Sequence, residues 1–452
     1  MNNDIRFSPR ASLAMTGMCM QQMGIWKTVG QHVVIKQKVI EHTPLEKMHD
    51  AFINIMAGGH GLVEVNHRVR ADAVLSRAFG RSQCAEQSTI SDTLNACSQE
   101  NVAQMREALR IIYQHYGQGY SHHYGKGWQL LDVDMSGLPA GRQGEGVEKG
   151  YFAKQKNKRG RQLGRVVATW YDEIVVERLY PGQVQLNRSL QELVHEAEQV
   201  LDLNPGFRRR TIIRTDAGGG RDEDINWLLN RHYGILTKVT NWRRVANLRA
   251  SVRVWHTDPK DCRRHFGWVE QPHTYDQPTR QLAVRCAKKD GSWSTHVLVF
   301  NLTDDTLLSL TPQVPDEADP NRIMLAALSL YDQRGGAAET TIKGSKQGLG
   351  LTKRNKKRFQ AQEMLLLLAQ LAYNLTAWTR NGLAACRPAL ARFGMLRMVR
   401  DAFHIPGKVT FDRHGRIVEL TLNQAHDLAA SFVSALGAFL ARDGTVVNLG
   451  QI

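Results

Sequence analysis

The sequence predicts an α/β protein: a mainly helical N-terminal region, a central sheet interrupted by an all-β insertion, and a mainly helical C-terminal region. Three observations predict it. Apolar spacing is helical over about 45–116. A strand running into a Gly-rich turn, TIIRTDAGGG at 211–220, precedes an amphipathic helix and a further strand, ILTKVT at 235–240, which is a β-α-β order. Residues 245–318 read as β-hairpins only, with the Asp290-Gly291 pair as a hairpin turn.

Taken in order, the helical stretch contains AVLSRAF at 73–79, which Gly80 can end through a positive φ, and TISDTLNAC, which Ser88 can cap. A helix, a Gly-containing turn and a second helix outline a candidate helix-turn-helix over 73–97, with Thr89, Ser91 and Asp92 toward DNA; a plain helical hairpin has the same outline. After GQGYSHHYGKG at 117–127 the reading changes to strands: WQLLDVDMSG at 128–137, then a strand, a turn and a strand over 164–182. Helices resume at Asn321, and a hairpin at 408–422 precedes a last helix.

Composition narrows the function. The 452 residues suffice for two to four domains. Lys and Arg total 59 against 43 acids, a formal charge of +16, which calls for a polyanionic partner, nucleic acid first. Basic clusters lie at 154–165, 208–210, 243–244 and 353–358 (KRNKKR), although any one alone also reads as solvated surface. Six cysteines without a C-x-x-C pair suit a reducing cytoplasm and exclude a zinc knuckle. No secretory signal opens the chain, and the longest apolar run, 364–378, is shorter than the roughly 20 residues that span a bilayer. It reads as a buried helix, so no membrane partner is expected.

The acids carry the chemistry. Strand alternation puts Leu130, Asp132 and Asp134 on one face of 128–137, with Asp134 at the strand's end beside Ser136 and Gly137. Asp216 likewise ends an apolar run, before three glycines, and Glu339 opens a later helix among Tyr331, Arg334, Lys343 and Lys346. Asp before Gly is also ordinary turn chemistry, and Glu in a first helical turn is favoured by the helix dipole. Taken as a set, three such acids can converge on two divalent cations about 3.5 to 4 Å apart, and hard cations such as Mg²⁺ take oxygen ligands. Asp132 and Asp134 share a face, so this reading leaves both open as the first acid.

LLDVDMSGLP (130–139), TIIRTDAGGGRDEDINWLLNRHYGILTKV (211–239), YDQRGGAAETTIKGSK (331–346) and HRVRADAVLSRAFGRSQCAEQSTISDTL (67–94) together resemble the DDE-class, cut-and-paste insertion-sequence transposases. The resemblance covers most of the chain. It implies a ribonuclease-H-like catalytic domain carrying a β insertion, with Asp134, Asp216 and Glu339 as catalytic acids and ligands of two Mg²⁺ ions, for which Mn²⁺ can substitute. It further implies that Tyr331 and Arg334 contact the phosphate or distorted DNA end and that Lys346 holds an end phosphate. Lys343 and the run Lys353, Arg354, Lys356, Lys357 and Arg358 would extend the DNA surface. One departure is plain: the family signature has three residues between Arg and Glu, whereas Gly335, Gly336, Ala337 and Ala338 make four here, the extra Ala following a Gly pair that can absorb it in a turn. Family members stack an aromatic of the insertion on an extruded base, for which Trp242, Trp255, Trp268 and Trp293 are candidates.

The implied layout is a DNA-binding region at 1–125, the catalytic domain at 126–244 and 319–380, the insertion at 245–318 and a C-terminal region at 381–452. The expected activity is binding of terminal inverted repeats in double-stranded DNA, metal-dependent phosphodiester hydrolysis, and strand transfer to target DNA by a dimer in a synaptic complex. The expected setting is a bacterial or archaeal cytoplasm, at the nucleoid. A catalytically inactive or domesticated DNA-binding protein is the alternative; a ribonuclease-H-like nuclease without strand transfer fits less of the chain.

Overall fold

A computed structural model describes residues 4–152, 157–312 and 319–452. Positions 154–156 of the first basic cluster and the end of the expected insertion, 313–318, lie outside the described residues. The strands are β1 (Asp4–Ser8), β2 (Gln129–Pro139), β3 (Glu148–Lys149), β4 (Arg159–Ala168), β5 (Glu173–Pro181), β6 (Thr211–Thr215), β7 (Gly234–Lys238), β8 (His256–Asp258), β9 (Asp261–Trp268), β10 (Arg280–Ala287), β11 (Trp293–Phe300), β12 (Gly407–Phe411), β13 (Ile417–Asn423) and β14 (Val446–Gly450).

Ten of these form one mixed sheet in the order β3-β4-β2-β6-β7-β11-β10-β9-β8, with β5 also paired to β4. At its centre β2, β6 and β7 run parallel, flanked by antiparallel β4 on one side and antiparallel β11 on the other. All five residues of β6, TIIRT, are buried, as a parallel strand covered on both faces requires. One face packs its Leu130, Ile212, Leu236 and Leu298 under the helix Arg322–Gly336. The other packs Leu131, Val133, Ile213 and Ile235 against the helices Leu186–Val200 and Asp222–Asn230.

A second core joins the N-terminal helices to the chain after residue 359. Its axis is the 28-residue helix Phe359–Cys386, which buries nearly all of the apolar run read from the sequence. Among the described residues no helix is long and apolar enough to cross a membrane.

The structure differs from the sequence reading in three places. The 245–318 stretch is not hairpins alone. A helix, Trp242–Ala250, enters it because the Asn241 side chain accepts from the backbone N–H groups of Arg243 and Arg244, and a second, Asp304–Leu310, starts at a Thr303 cap. Its strands β8 to β11 extend the central sheet through the β11–β7 pairing rather than standing apart, because Val297 to Phe300 are buried and need cover on both faces. In the C-terminal region helix remains the commoner element, but more strand is present than the hairpin read at 408–422. The region holds a four-stranded sheet, β1-β12-β13-β14, in which the hairpin turn carries Gly415 at φ 74° and the N-terminal strand supplies an edge, with the helix Ala429–Leu440 packed against it. Finally, Gly335 and Gly336 do not form a turn: the helix Arg322–Gly336 runs through both and breaks at Ala337.

Candidate active site

The site lies where the parallel strands end. Cross-strand register aligns Asp132 with Arg214 and Arg214 with Leu236. Two residues further on, strand alternation returns the chain to the same face, so Asp134, Asp216 and Lys238 form the next row. The ends of β6 and β7 are tied together: the Thr215 and Thr237 hydroxyls lie 2.7 Å apart, and Thr237 Oγ1 donates to the Asp216 carbonyl at 3.1 Å. Gly220 is required in the turn between them, because a Cβ there would meet the Lys238 carbonyl oxygen at 1.6 Å.

The two acids of β2 have different surroundings. Asp132 is fully buried, and both its oxygens are occupied by Arg214, through Nε at 2.6 Å and Nη2 at 2.7 Å, with Thr169 Oγ1 donating at 2.8 Å. Arg214 also donates to the Leu330 carbonyl, so the pair ties β2 and β6 to the helix Arg322–Gly336. Asp134 keeps open valence: its Oδ1 accepts from the Met135 N–H at 2.8 Å and lies 2.9 Å from Arg334 Nη2. Burial pushes its carboxyl up to about 6; Arg334 opposes the rise, and the charges of Asp216 and Glu339 add to it.

Asp216 Oδ1 accepts from the Gly218 N–H at 2.8 Å, which fixes the carboxylate at the strand's end. Glu339 stands in the first turn of the helix Ala338–Gln347, with a side chain 64% exposed and 3.7 Å from Arg334 Nη1. Arg334 is buried, and its Nε has no hydrogen-bond partner among the described residues. Its guanidinium therefore reaches both Asp134 and Glu339. Among the described residues no three His, Cys, Asp or Glu side chains reach metal-binding geometry. The donor chemistry nevertheless suits a hard divalent cation: carboxylate oxygens only, crowded enough that two of them raise the proton affinity of the third.

The remaining sequence candidates divide. Tyr331 is buried, with Lys238 Nζ 4.6 Å from its ring centroid. Lys346 Nζ donates to Ser136 Oγ at 2.6 Å and to the Gly137 carbonyl at 2.9 Å; burial, then Arg165, lower its pKa to about 8 against the pull of Asp134. Lys343, Lys353, Lys357 and Arg358 are exposed. Arg354 is not on the DNA surface expected for it. It is buried, and donates to the carbonyls of Leu349 and Gly59, because the loop folds back onto the N-terminal helices. Buried Arg161 shapes the same loop by donating to the carbonyls of Lys356 and Lys357 at 2.9 and 2.8 Å.

The loop also engages the helix Gln87–Ala96: Lys356 Nζ donates to Ser91 Oγ, and Arg358 to the Asn95 carbonyl. Thr89 Oγ1 donates to the Glu86 carbonyl at 3.0 Å. Gly80 takes its positive φ of 79°, but the second helix begins at Gln87 after Glu86, not at a Ser88 cap. The helices Ala73–Ala78 and Gln87–Ala96 are thus joined by a longer connection than the 3–4-residue turn of a helix-turn-helix.

The model of the family "Transposase DDE domain group 1" matches residues 11–442. The chain belongs to this family. Among solved structures it is similar to the piggyBac transposase in a cryo-EM structure of its synaptic complex with hairpin DNA, at 13% identity and a TM-score of 0.43, over 87% of this chain and 80% of that one. The comparison with curated proteins found no match. In this DDE transposase chain two residues of the site were not singled out from the sequence. Arg214 falls inside an apolar strand, where a lone Arg must find a buried acid, and that signal was available. Lys238 is visible only once β7 is set beside β6. Of the four tryptophans, Trp242 is 73% exposed, beside Arg243, whereas Trp255 and Trp293 enclose Arg285 and Trp268 carries Arg280.

Proposed function

We propose that the chain is a cut-and-paste DNA transposase: it binds terminal inverted repeats, hydrolyses phosphodiesters at the element's ends and joins the freed 3′ ends to target DNA. The observation that carries this reading is buried Arg334, 2.9 Å from Asp134 and 3.7 Å from Glu339, beside a carboxyl at Asp134 on which the charge of Asp216 also acts, in a basic chain. Asp134, Asp216 and Glu339 would hold the metal; Asp132 is occupied by Arg214. When bound, two Mg²⁺ ions, or Mn²⁺ in their place, activate the attacking water or 3′-hydroxyl and neutralise the leaving oxygen.

Arg334 exchanges its carboxylate partners for the DNA phosphate, Tyr331 braces the distorted end and Lys346 holds an end phosphate beside Asp134. Lys343, Lys353, Lys356, Lys357 and Arg358 continue the phosphate surface, while Thr89 and Ser91 place the helix Gln87–Ala96 near the duplex. Trp242, the most exposed of the four candidates, stacks on an extruded base. A ribonuclease-H-like centre is supported by the order β5-β4-β2-β6-β7 with β4 antiparallel, and β8 to β11 are the inserted part. The order of regions is kept from the layout above, with the boundaries at 244 and 380 falling inside the helices Trp242–Ala250 and Phe359–Cys386 and β1 joining the C-terminal sheet. Two ends must be handled together, so a dimer forms on DNA, in a bacterial or archaeal nucleoid.

A second reading, a DNA-binding relative that has lost catalysis, is favoured by Arg334 lying against two of the acids and by the extra alanine before Glu339. One experiment separates the two. A labelled duplex carrying the element's terminus is incubated with Mg²⁺ or Mn²⁺ and wild type, Asp134→Ala, Asp216→Ala or Glu339→Ala, and binding is measured on the same samples. Cutting by wild type, abolished in each variant with binding kept, is the expected result. Binding without cutting under either metal establishes the second reading.

A further inference from the structure

The charged groups that share the face carrying the acids are nearly all paired. Arg214 is matched by Asp132, Arg334 by Asp134, Arg165 by Glu177, and Arg264 by Asp258 and Asp332. Two ammonium groups differ. Lys346 is bound only by a hydroxyl and a carbonyl, and Lys238, half-buried at the end of β7, has no ion-pair partner among the described residues. A partly desolvated cation with no carboxylate in contact, Asp216 and Asp332 acting on it only through space, is unfavourable unless an anion arrives to meet it.

The placement of the two is informative. Lys346 lies beside β2, next to Ser136 and Gly137. Lys238 stands at the other end of the row Asp134, Asp216, Lys238, two strands from Asp134 and so about 10 Å away along the sheet. It is held over the ring of Tyr331, and its strand is fastened to the Asp216 carbonyl through Thr237. A strand of DNA lying across the acids meets a cation on each side of them.

We infer that Lys238 is a phosphate-binding residue of this centre, its ammonium contacting the phosphodiester that neighbours the scissile one on the side away from Lys346. The inference rests on the transposase reading, and it adds a contact that the sequence signature does not contain.

The test uses terminus duplexes with a single uncharged methylphosphonate at successive positions around the cleavage site, in single-turnover cleavage by the full-length protein. In wild type, one position beside the scissile phosphate slows cleavage about 10- to 100-fold, the loss of a hydrogen bond to a charged group. In Lys238→Met the unmodified duplex is cut more slowly by a similar factor and that position ceases to matter, while Lys238→Arg restores both rate and sensitivity. Equal sensitivity in wild type and Lys238→Met at every position overturns the inference. Acetylation of wild-type lysines gives a reading independent of any variant's folding: bound duplex protects Lys238, and a methylphosphonate at the sensitive position removes the protection. No protection overturns the inference. If wild type binds but does not cut, the proposed function fails, and the Lys238 contact is still decided by acetylation and by the affinity lost at that methylphosphonate.

Discussion

The guanidinium of Arg334 lies 2.9 Å from the carboxylate of Asp134. That contact lowers the proton affinity of a buried acid, yet burial prevails and Asp134 is held at about 6. The folded chain therefore keeps a proton between roughly pH 4 and 6 that the unfolded chain has released, so stability falls as pH rises through that window. Asp134→Asn removes the cost. In metal-free protein the variant is expected to match wild type near pH 4 and to exceed it by up to about 3 kcal/mol at pH 8, the equivalent of a two-unit shift. Urea unfolding in a chelating buffer at both pH values checks this; a difference that does not grow with pH refutes it.

Asp132 is expected to behave in the opposite way, although only one residue separates it from Asp134. Its carboxylate is enclosed by Arg214 and Thr169 with no exposure, and breaking a buried ion pair by removing one partner costs about 3 to 5 kcal/mol. Asp132→Ala should lower the urea midpoint strongly at pH 7, while Asp134→Ala should not. The same stability in both would mean that the Arg214 pairing does not organise the strand ends.

This contrast marks where the sequence stopped being legible. Alternation placed Asp132 and Asp134 on one face, but the choice between them depends on Arg214, a residue 82 positions away that reaches Asp132 only because β2 and β6 are parallel neighbours in a particular register. The β-α-β order around Asp216 could be read because its punctuation is local: an apolar run, three glycines, then an amphipathic helix. The regions read wrongly were those where tertiary pairing decides. Strand β1 is five residues long and mostly exposed, and becomes a strand only by pairing with β12, about 400 residues on. The basic run 353–358 looked uniform, yet Arg354 turns inward to satisfy two carbonyls and its neighbours do not.

That division gives a third prediction. Lys353, Lys357 and Arg358 are exposed, and each phosphate contact contributes about 0.9 to the slope of log affinity against log salt. Replacing all three by alanine should reduce that slope by up to about 2.7, with little change in melting temperature. Arg354→Ala should leave the slope alone and destabilise the fold, since the Leu349 and Gly59 carbonyls lose their buried donor. Equilibrium binding at several salt concentrations, with thermal unfolding on the same proteins, separates the two effects.

Lys346 offers a test of the phosphate site through protons alone. Burial, then Arg165, lower its pKa to about 8, so near pH 8.5 a large share of the free protein carries a neutral amine there. A phosphate arriving at that amine favours the charged form and raises the pKa, so binding must take up protons above pH 8 and almost none at pH 6.5, where the amine is already charged. Calorimetric titration with the terminus duplex in two buffers of different ionisation enthalpy reads the uptake directly. Wild type is expected to absorb a fraction of a proton per site at pH 8.5 and Lys346→Met to absorb less by that fraction. An uptake that is unchanged in Lys346→Met would place the phosphate elsewhere, because the ammonium held by Ser136 and Gly137 would then keep the same proton occupancy with and without DNA.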